Sequence, residues 1–171
     1  MTATLRARLL EQPLWEFALA LYGRPGVEAA CLHLQDEGGV DVCELLWRCW
    51  LLRHGARPSP ELEEALPTAL SWQREVTAPL RALRRRLKTE AASADGVAEL
   101  RDTLKRAELQ AEREMLGRLE TLATDGVLPL HPAGEREAEK VLASGLSLQK
   151  ELDLSTLATL IAQLDPPPGP G

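Results

Sequence analysis

Residues that build β-sheets and residues that carry nucleophilic or metal chemistry are both scarce in this chain of 171 residues. It has one Ile, one Phe and one Tyr, and aromatic side chains make up 4% of it. The three cysteines and three histidines are not spaced as the paired ligands of a zinc site. No apolar run reaches the roughly 18 residues that a membrane span needs, and the first residues lack the apolar segment of a secretory signal. These absences predict a cytoplasmic protein that contacts no membrane and holds no metal or other cofactor.

The chain also has no large excess of charge of either sign. The formal net charge is −6, from 20 basic and 26 acidic residues, and the acidic excess lies toward the C-terminus. Sequence-independent nucleic-acid binding draws most of its free energy from the neutralisation of phosphates. The overall charge therefore disfavours a nucleic-acid partner, and only the run Arg81–Lys88 is strongly basic.

What is present predicts an all-α fold. Leu, Ala, Glu and Arg dominate, and apolar residues recur at helical spacing through most of the chain. The predicted helices cover residues 13–23, 25–35, 41–54, 60–66, 69–91, 95–123, 133–145 and 153–164. Residues 1–66 are expected to form an N-terminal bundle. Residues 67–165 are expected to add a long antiparallel hairpin and two short helices, packed on the bundle as one domain, and residues 166–171 a disordered tail.

Local signals fix several helix ends. Asp41 and Ser59 are suited to cap the helices that follow them, and Asp153 or Ser155 to start the last helix. Pro67 is expected to interrupt or kink its helix, and Pro79 predicts a kink near residues 75–77. The helix after Asp41 is apolar around most of its circumference, which predicts that it lies at the centre of the bundle.

The region from residue 13 to residue 55 carries a pattern of its own. It reads W-x-F-A-x-x-x-Y, then P-G-V-x-x-A-C-L-x-L-Q-D, then G-x-D-V-x-x-L-L-W-x-x-W-L, and it begins at Trp15. This order resembles a small bacterial family of uncharacterised, all-helical proteins. The resemblance implies a cytoplasmic bacterial protein, and it transfers no catalytic role to any residue.

The three cysteines, Cys31, Cys43 and Cys49, are each flanked by apolar residues. Buried, reduced thiols are therefore expected, because a cysteine nucleophile needs an exposed thiolate with a lowered pKa. Cys43 lies two residues after Asp41, whose charge would raise the pKa of the thiol. His54 is expected to interact with the carbonyl groups at the end of its helix.

Two groups of polar residues are candidate binding sites. Asp36 and Asp41 flank a Gly-Gly turn, where they either bind a cation or a partner's arginine or, as such residues more often do, satisfy backbone amides. The second group is the basic run, in which Arg81, Arg84, Arg85 and Lys88 fall on one helical face and Leu80, Leu83 and Leu87 on the other. These arginines either contact an acidic protein or a nucleic acid, or pair with the acidic helix 95–123 across the hairpin.

The sequence does not identify an activity, and it favours a non-enzymatic protein. The first hypothesis is a protein–protein interaction or adaptor module, with homo-oligomerisation as an open possibility. The alternative is a small-molecule-binding or enzymatic bundle that uses the Asp36–Asp41 turn. The third hypothesis is a nucleic-acid-binding regulator that acts through Arg81–Lys88. No catalytic or metal-binding residue is predicted.

Overall fold

The computed structural model describes residues 3–164, apart from the side chains of Ala3 and Glu135. This part of the chain is almost entirely helical, so the all-α prediction is confirmed. Its helices are α1 Ala3–Glu11, α2 Leu14–Tyr22, α3 Val27–Asp36, α4 Val42–Arg53, α5 Pro60–Ala69, α6 Ala78–Arg86, α7 Asp95–Thr124, α8 Ala138–Gly145 and α9 Glu151–Ile161. The disordered tail that was predicted for residues 166–171 lies outside the described residues.

Helix α4 packs against α2, α3, α7 and α8, as its apolar circumference predicts. Asp41 caps its first turn, since the Asp41 side chain accepts a hydrogen bond from the backbone N–H of Glu44 at 3.0 Å. Nine of the twelve residues of α4 are buried. Trp50 is fully buried and its indole N–H donates to the carbonyl of Gln12 at 2.8 Å, which ties α4 to the start of α2.

Helix α1 was not predicted, because the sequence pattern places the start of the first helix at Pro13. Among the side chains of α1 that the structure describes, residues 4–11, only Leu9 is buried, so this segment has no extended apolar stripe for a pattern to detect. The Arg8 guanidinium donates to the carbonyl of His54 at 3.3 Å, and a cation from α1 thus meets the C-terminal end of α4. The prediction for His54 is therefore wrong: its buried ring nitrogens have no hydrogen-bond partner among the described residues.

The two prolines for which kinks are predicted, Pro67 and Pro79, lie in different local structures. Ser59 caps α5 through the N–H of Leu62 at 3.3 Å, and α5 continues past Pro67 as far as Ala69. Near residues 75–77, where a kink is predicted, the chain forms a π-helical turn, Gln73–Thr77, directly before α6. Pro79 follows shortly after this turn, and because a proline has no backbone N–H, it cannot donate a hydrogen bond to the carbonyl groups of the π-helical turn.

The C-terminal part returns to the bundle. Strand β1, Ala56–Pro58, pairs antiparallel with β2, Leu130–Pro132, and Arg57 lies opposite His131. Helix α9 packs on α3, and it begins two residues before Asp153, so the predicted start at Asp153 or Ser155 is wrong. Asp153 is instead buried, with a carboxylate oxygen 3.2 Å from Nε2 of His33.

One cluster of buried apolar side chains runs from Leu9 to Leu160 and includes residues from both predicted regions. The division at residue 66 stays a prediction. Within residues 3–164, no helix has both the length and the apolar character needed to cross a membrane.

Candidate functional site

Five of the six candidate binding residues meet on one side of the molecule. Here the end of α3, the start of α4 and the hairpin of α6 and α7 come together, and we call this surface the polar junction. Its members are Asp36, Asp41, Arg81, Arg84, Arg85, Glu108 and Glu112. Lys88, the sixth candidate, is exposed beyond the end of α6.

The arginines of α6 bind the carboxylates of α7. Arg81 donates through Nε to Glu108 at 2.8 Å and through Nη2 to Glu112 at 2.7 Å. Arg84 donates through Nε to the second oxygen of Glu108 at 2.5 Å. Burial raises the pKa of Glu108, but the hydrogen bonds from Arg84 and Arg81 outweigh it and bring the pKa below its usual value. This arrangement corresponds to the predicted pairing across the hairpin.

The orientation of α6 differs from the prediction. Leu83 was assigned to the buried side and the arginines to the opposite side, but Leu83 is 41% exposed while the side chains of Arg81 and Arg84 are each 21% exposed. The reason is the buried carboxylate of Glu108, which is 7% exposed and draws both guanidinium groups toward α7. Helical periodicity alone cannot show this, because it assigns apolar residues to the inside by default.

The two candidate aspartates have different surroundings. Asp41 caps α4, as the backbone-amide interpretation predicts. Asp36 lies at the end of α3 with a carboxylate oxygen 3.6 Å from Nη2 of Arg85, and both side chains are more than half exposed. The structure thus brings Asp36, from the first candidate group, close to Arg85, from the second. Ligand binding at the Asp36–Asp41 turn stays a prediction.

Three ionisable side chains in the interior behind the polar junction, Cys43, Cys31 and Tyr22, are held in their neutral form. Burial, followed by the charge of Asp41, raises the pKa of the Cys43 thiol well above its usual value, as expected. Burial also raises the pKa of Cys31 to about 12 and, together with nearby negative charges, that of Tyr22 to about 12. These three groups are protonated at neutral pH, so none is an activated nucleophile.

Two polar side chains of the π-helical turn lie in this interior. Gln73 is 9% exposed and Thr77 is 1% exposed, and neither Oε1 of Gln73 nor Oγ1 of Thr77 has a hydrogen-bond partner among the described residues. Such turns are frequent at functional sites. In residues 3–164, no group of three or more His, Cys, Asp or Glu side chains is arranged to hold a metal ion.

A buried ion-pair cluster was missed by the sequence analysis. Arg48, in the middle of α4, is 2% exposed and donates through Nε to Glu44 at 2.8 Å. Its two terminal nitrogens donate to the two oxygens of Glu63, on α5, at 2.7 and 2.6 Å. The four-residue spacing of Glu44 and Arg48 was a local signal for half of this cluster. Glu63 could be added only from the tertiary fold.

The family comparison covers all the elements that form the polar junction. A family model described as "Protein of unknown function (DUF2390)" matches residues 13–119. The chain belongs to this family. The matched segment extends from the start of α2 into the second half of α7 and leaves out α1, α8 and α9. Comparisons with curated proteins and with solved structures found no match.

The match confirms the expectation of a family to which no activity is assigned. Bacterial origin, the cytoplasmic location and the particular residue pattern of the predicted resemblance stay predictions.

Proposed function

We propose that the chain is a protein-interaction module that binds an acidic, amphipathic segment of another protein on the outer face of α6. This face consists of Pro79, Ala82, Leu83 and Arg86, all of them exposed and spaced to lie on one side of the helix. The observation that supports the proposal is the exposure of Leu83, at 41%, within a helix that is otherwise rich in arginine. A leucine bordered by cations is suited to a partner that has both apolar and acidic side chains.

The basic groups around Leu83 are available to a partner. Arg86 and Lys88 are exposed, and across residues 3–164 neither takes part in an ion pair. Within the described part of the chain, Arg85 has only the distant, exposed contact with Asp36, and exposed pairs of this kind contribute little to stability. A partner carboxylate can therefore bind these three groups with little loss of internal interactions.

Nucleic acid remains the competing partner for the same residues. The pairing of Arg81 and Arg84 with Glu108 leaves fewer cations for phosphates than the sequence suggested. Because each neutralised phosphate contributes to affinity, this pairing and the net charge of −6 both favour a protein partner.

The test is a crosslinking pull-down from host lysate with variants designed from the structure. Arg86→Glu/Lys88→Glu reverses the charge of Arg86, on the outer face of α6, and of Lys88, just beyond the end of α6, without touching the Glu108 ion pairs. Lys105→Glu/Arg106→Glu makes the same charge change on exposed positions of α7 and is the control. Circular dichroism and thermal melts establish that both variants fold.

We expect the wild type and the control to recover the same partner. The α6 variant should recover at least about tenfold less of that partner. Recovery should survive nuclease treatment and should decrease with added salt. Equal recovery by the two double variants would show that α6 is not the docking face. Recovery that disappears with nuclease would support the nucleic-acid hypothesis instead.

A further inference from the structure

A cleft of about 530 Å³ opens on a part of the molecule that shares no lining residue with the polar junction or the outer face of α6. One wall is formed by β1 and the start of α5, and the opposite wall by α8 and the residue before it. This volume is within the range of small-molecule sites in proteins.

The inner end of the cleft is built on the buried Arg48 cluster. Glu63 lines the cleft and is 38% exposed, while both of its oxygens accept hydrogen bonds from Arg48. Gly145 packs so closely that a Cβ there would lie 2.4 Å from Nη1 of Arg48. The guanidinium is therefore fixed from two sides, and it holds the Glu63 carboxylate in one orientation.

The charge of this cluster is not balanced. One guanidinium serves two carboxylates, those of Glu44 and Glu63, so an excess of one negative charge lies at the inner end of the cleft when both are ionised. Glu137 adds a carboxylate to the lining. A ligand group that brings a positive charge and several N–H donors compensates this excess and finds oxygen acceptors that are already oriented.

The lining also offers cations. Arg57 and Lys140 contribute one guanidinium and one ammonium group, and Pro58, Pro60 and Val141 contribute apolar surface. We propose that the cleft binds a small zwitterion of the amino-acid class, whose ammonium group is bound by Glu63 and Glu137 and whose carboxylate is bound by Arg57 and Lys140. The apolar residues then contact its side chain.

The test is an NMR titration of the uniformly ¹⁵N-labelled full chain with each of the common amino acids, up to about 10 mM, a concentration at which even a millimolar Kd gives nearly full occupancy. We expect at least one amino acid to shift amide signals in residues 57–63 and 137–145. Its N-acetyl derivative, which lacks the ammonium group, and its amide, which lacks the carboxylate, should each bind at least about tenfold more weakly. The dipeptide with the same first residue distinguishes a free amino acid from a peptide N-terminus.

Two exposed positions provide the variants, since changes at Glu63 would also release Arg48. Lys140→Gln and Glu137→Gln should each weaken binding about tenfold. Lys150→Gln makes the same charge change as Lys140→Gln on an exposed residue outside the cleft, and it should have no effect. The proposal is wrong if no amino acid shifts these amides. It is also wrong if the neutralised derivatives bind as well as the parent, or if the Lys140 and Lys150 variants behave alike. None of these outcomes depends on the docking function proposed for α6.

Discussion

Helices α4 and α6 are both short and lie in the same fold, but they are held in place by different forces. Nine residues of α4 are buried, including two tryptophans, and even its arginine is enclosed. None of the nine residues of α6 is buried, and its contacts with α7 include the ion pairs of Arg81 and Arg84 with Glu108. Apolar burial stabilises α4, whereas α6 depends to a much greater degree on charge.

This difference bears on function. Burial of apolar area does not depend on salt in the way that partly exposed ion pairs do. A helix that buries little of its own surface can also present apolar and basic side chains to a partner without exposing a core. The region of α4 is therefore suited to a fixed structural role, and α6 to the docking role that we propose for it.

The largest expected contrast comes from one truncation in each helix. Trp50→Ala removes a fully buried ring and its hydrogen bond to Gln12, and should cost about 3–5 kcal/mol in the free energy of unfolding. Leu83→Ala, on exposed surface, should change it by less than about 0.5 kcal/mol. Urea denaturation measures both. Similar losses would show that α6 contributes to the core after all.

Acid should destabilise the end of α4 through His54. Burial, followed by the charges of Arg53 and Arg8, lowers the pKa of His54 from 6.5 to about 4. The unfolded chain then binds a proton that the folded chain excludes, so this stability is complete above pH 6.5 and is lost as the pH falls toward 4. A shift of this size corresponds to about 3 kcal/mol.

The measurement for His54 is the unfolding free energy between pH 7 and pH 4.5, compared with His54→Phe, which keeps a ring beside Trp50. Carboxylates such as Glu108 titrate in both proteins, so the difference isolates the histidine. We expect the wild type to lose more stability than the variant over this range. Parallel curves would mean that His54 is accessible to protons in the folded state.

Much of this fold was predictable because short local sequence signals determine several of its helix ends. Asp41 and Ser59 mark helix starts that depend only on neighbouring residues. Helix α7 was predicted over 95–123 and extends over Asp95–Thr124, because its apolar rows repeat without interruption.

The parts that were missed depend on contacts between distant segments. Pairing of β1 with β2, burial of Asp153 against His33, and completion of the Arg48 cluster by Glu63 each join residues that no local pattern connects. The prediction of which side of α6 is buried was wrong for a related reason. Glu108, which determines that orientation, lies on another helix. Local periodicity identifies helices but not which buried polar groups meet.

Gly145→Ala tests the close packing that holds Arg48. A Cβ at this position would lie 2.4 Å from Nη1 and 2.7 Å from Cζ of a guanidinium that cannot move without breaking its ion pairs. We expect a loss of about 1–3 kcal/mol, the usual cost of overpacking. Gly134→Ala is the control, because a Cβ there meets no atom within 4 Å. Thermal denaturation that does not distinguish the two variants would contradict the rigid placement of Arg48.

Glu108→Gln tests the ionic contribution to the hairpin. It removes the charge that binds Arg81 and Arg84, and because these arginines are partly exposed we expect a loss of only about 1–2 kcal/mol. The loss should shrink at high salt, where screening weakens the wild-type pairs. Glu114→Gln breaks an exposed pair with Arg118 on the same helix and should cost less than about 0.5 kcal/mol. Equal, salt-independent effects would show that α6 is held chiefly by its leucines.

The smallest expected effect has the opposite sign. Gly117 lies within α7 on exposed surface, where a Cβ meets no atom within 4 Å. Replacing it with Ala lowers the conformational entropy of the unfolded chain and adds no clash, so Gly117→Ala should stabilise the protein by about 0.5–1 kcal/mol. Comparing the urea midpoints of Gly117→Ala and Gly145→Ala contrasts an exposed helix position with a closely packed one. The same chemical change should stabilise the exposed helix of the hairpin and destabilise the packed helix beside Arg48, and a loss of stability at Gly117 would mean that α7 is covered on that side.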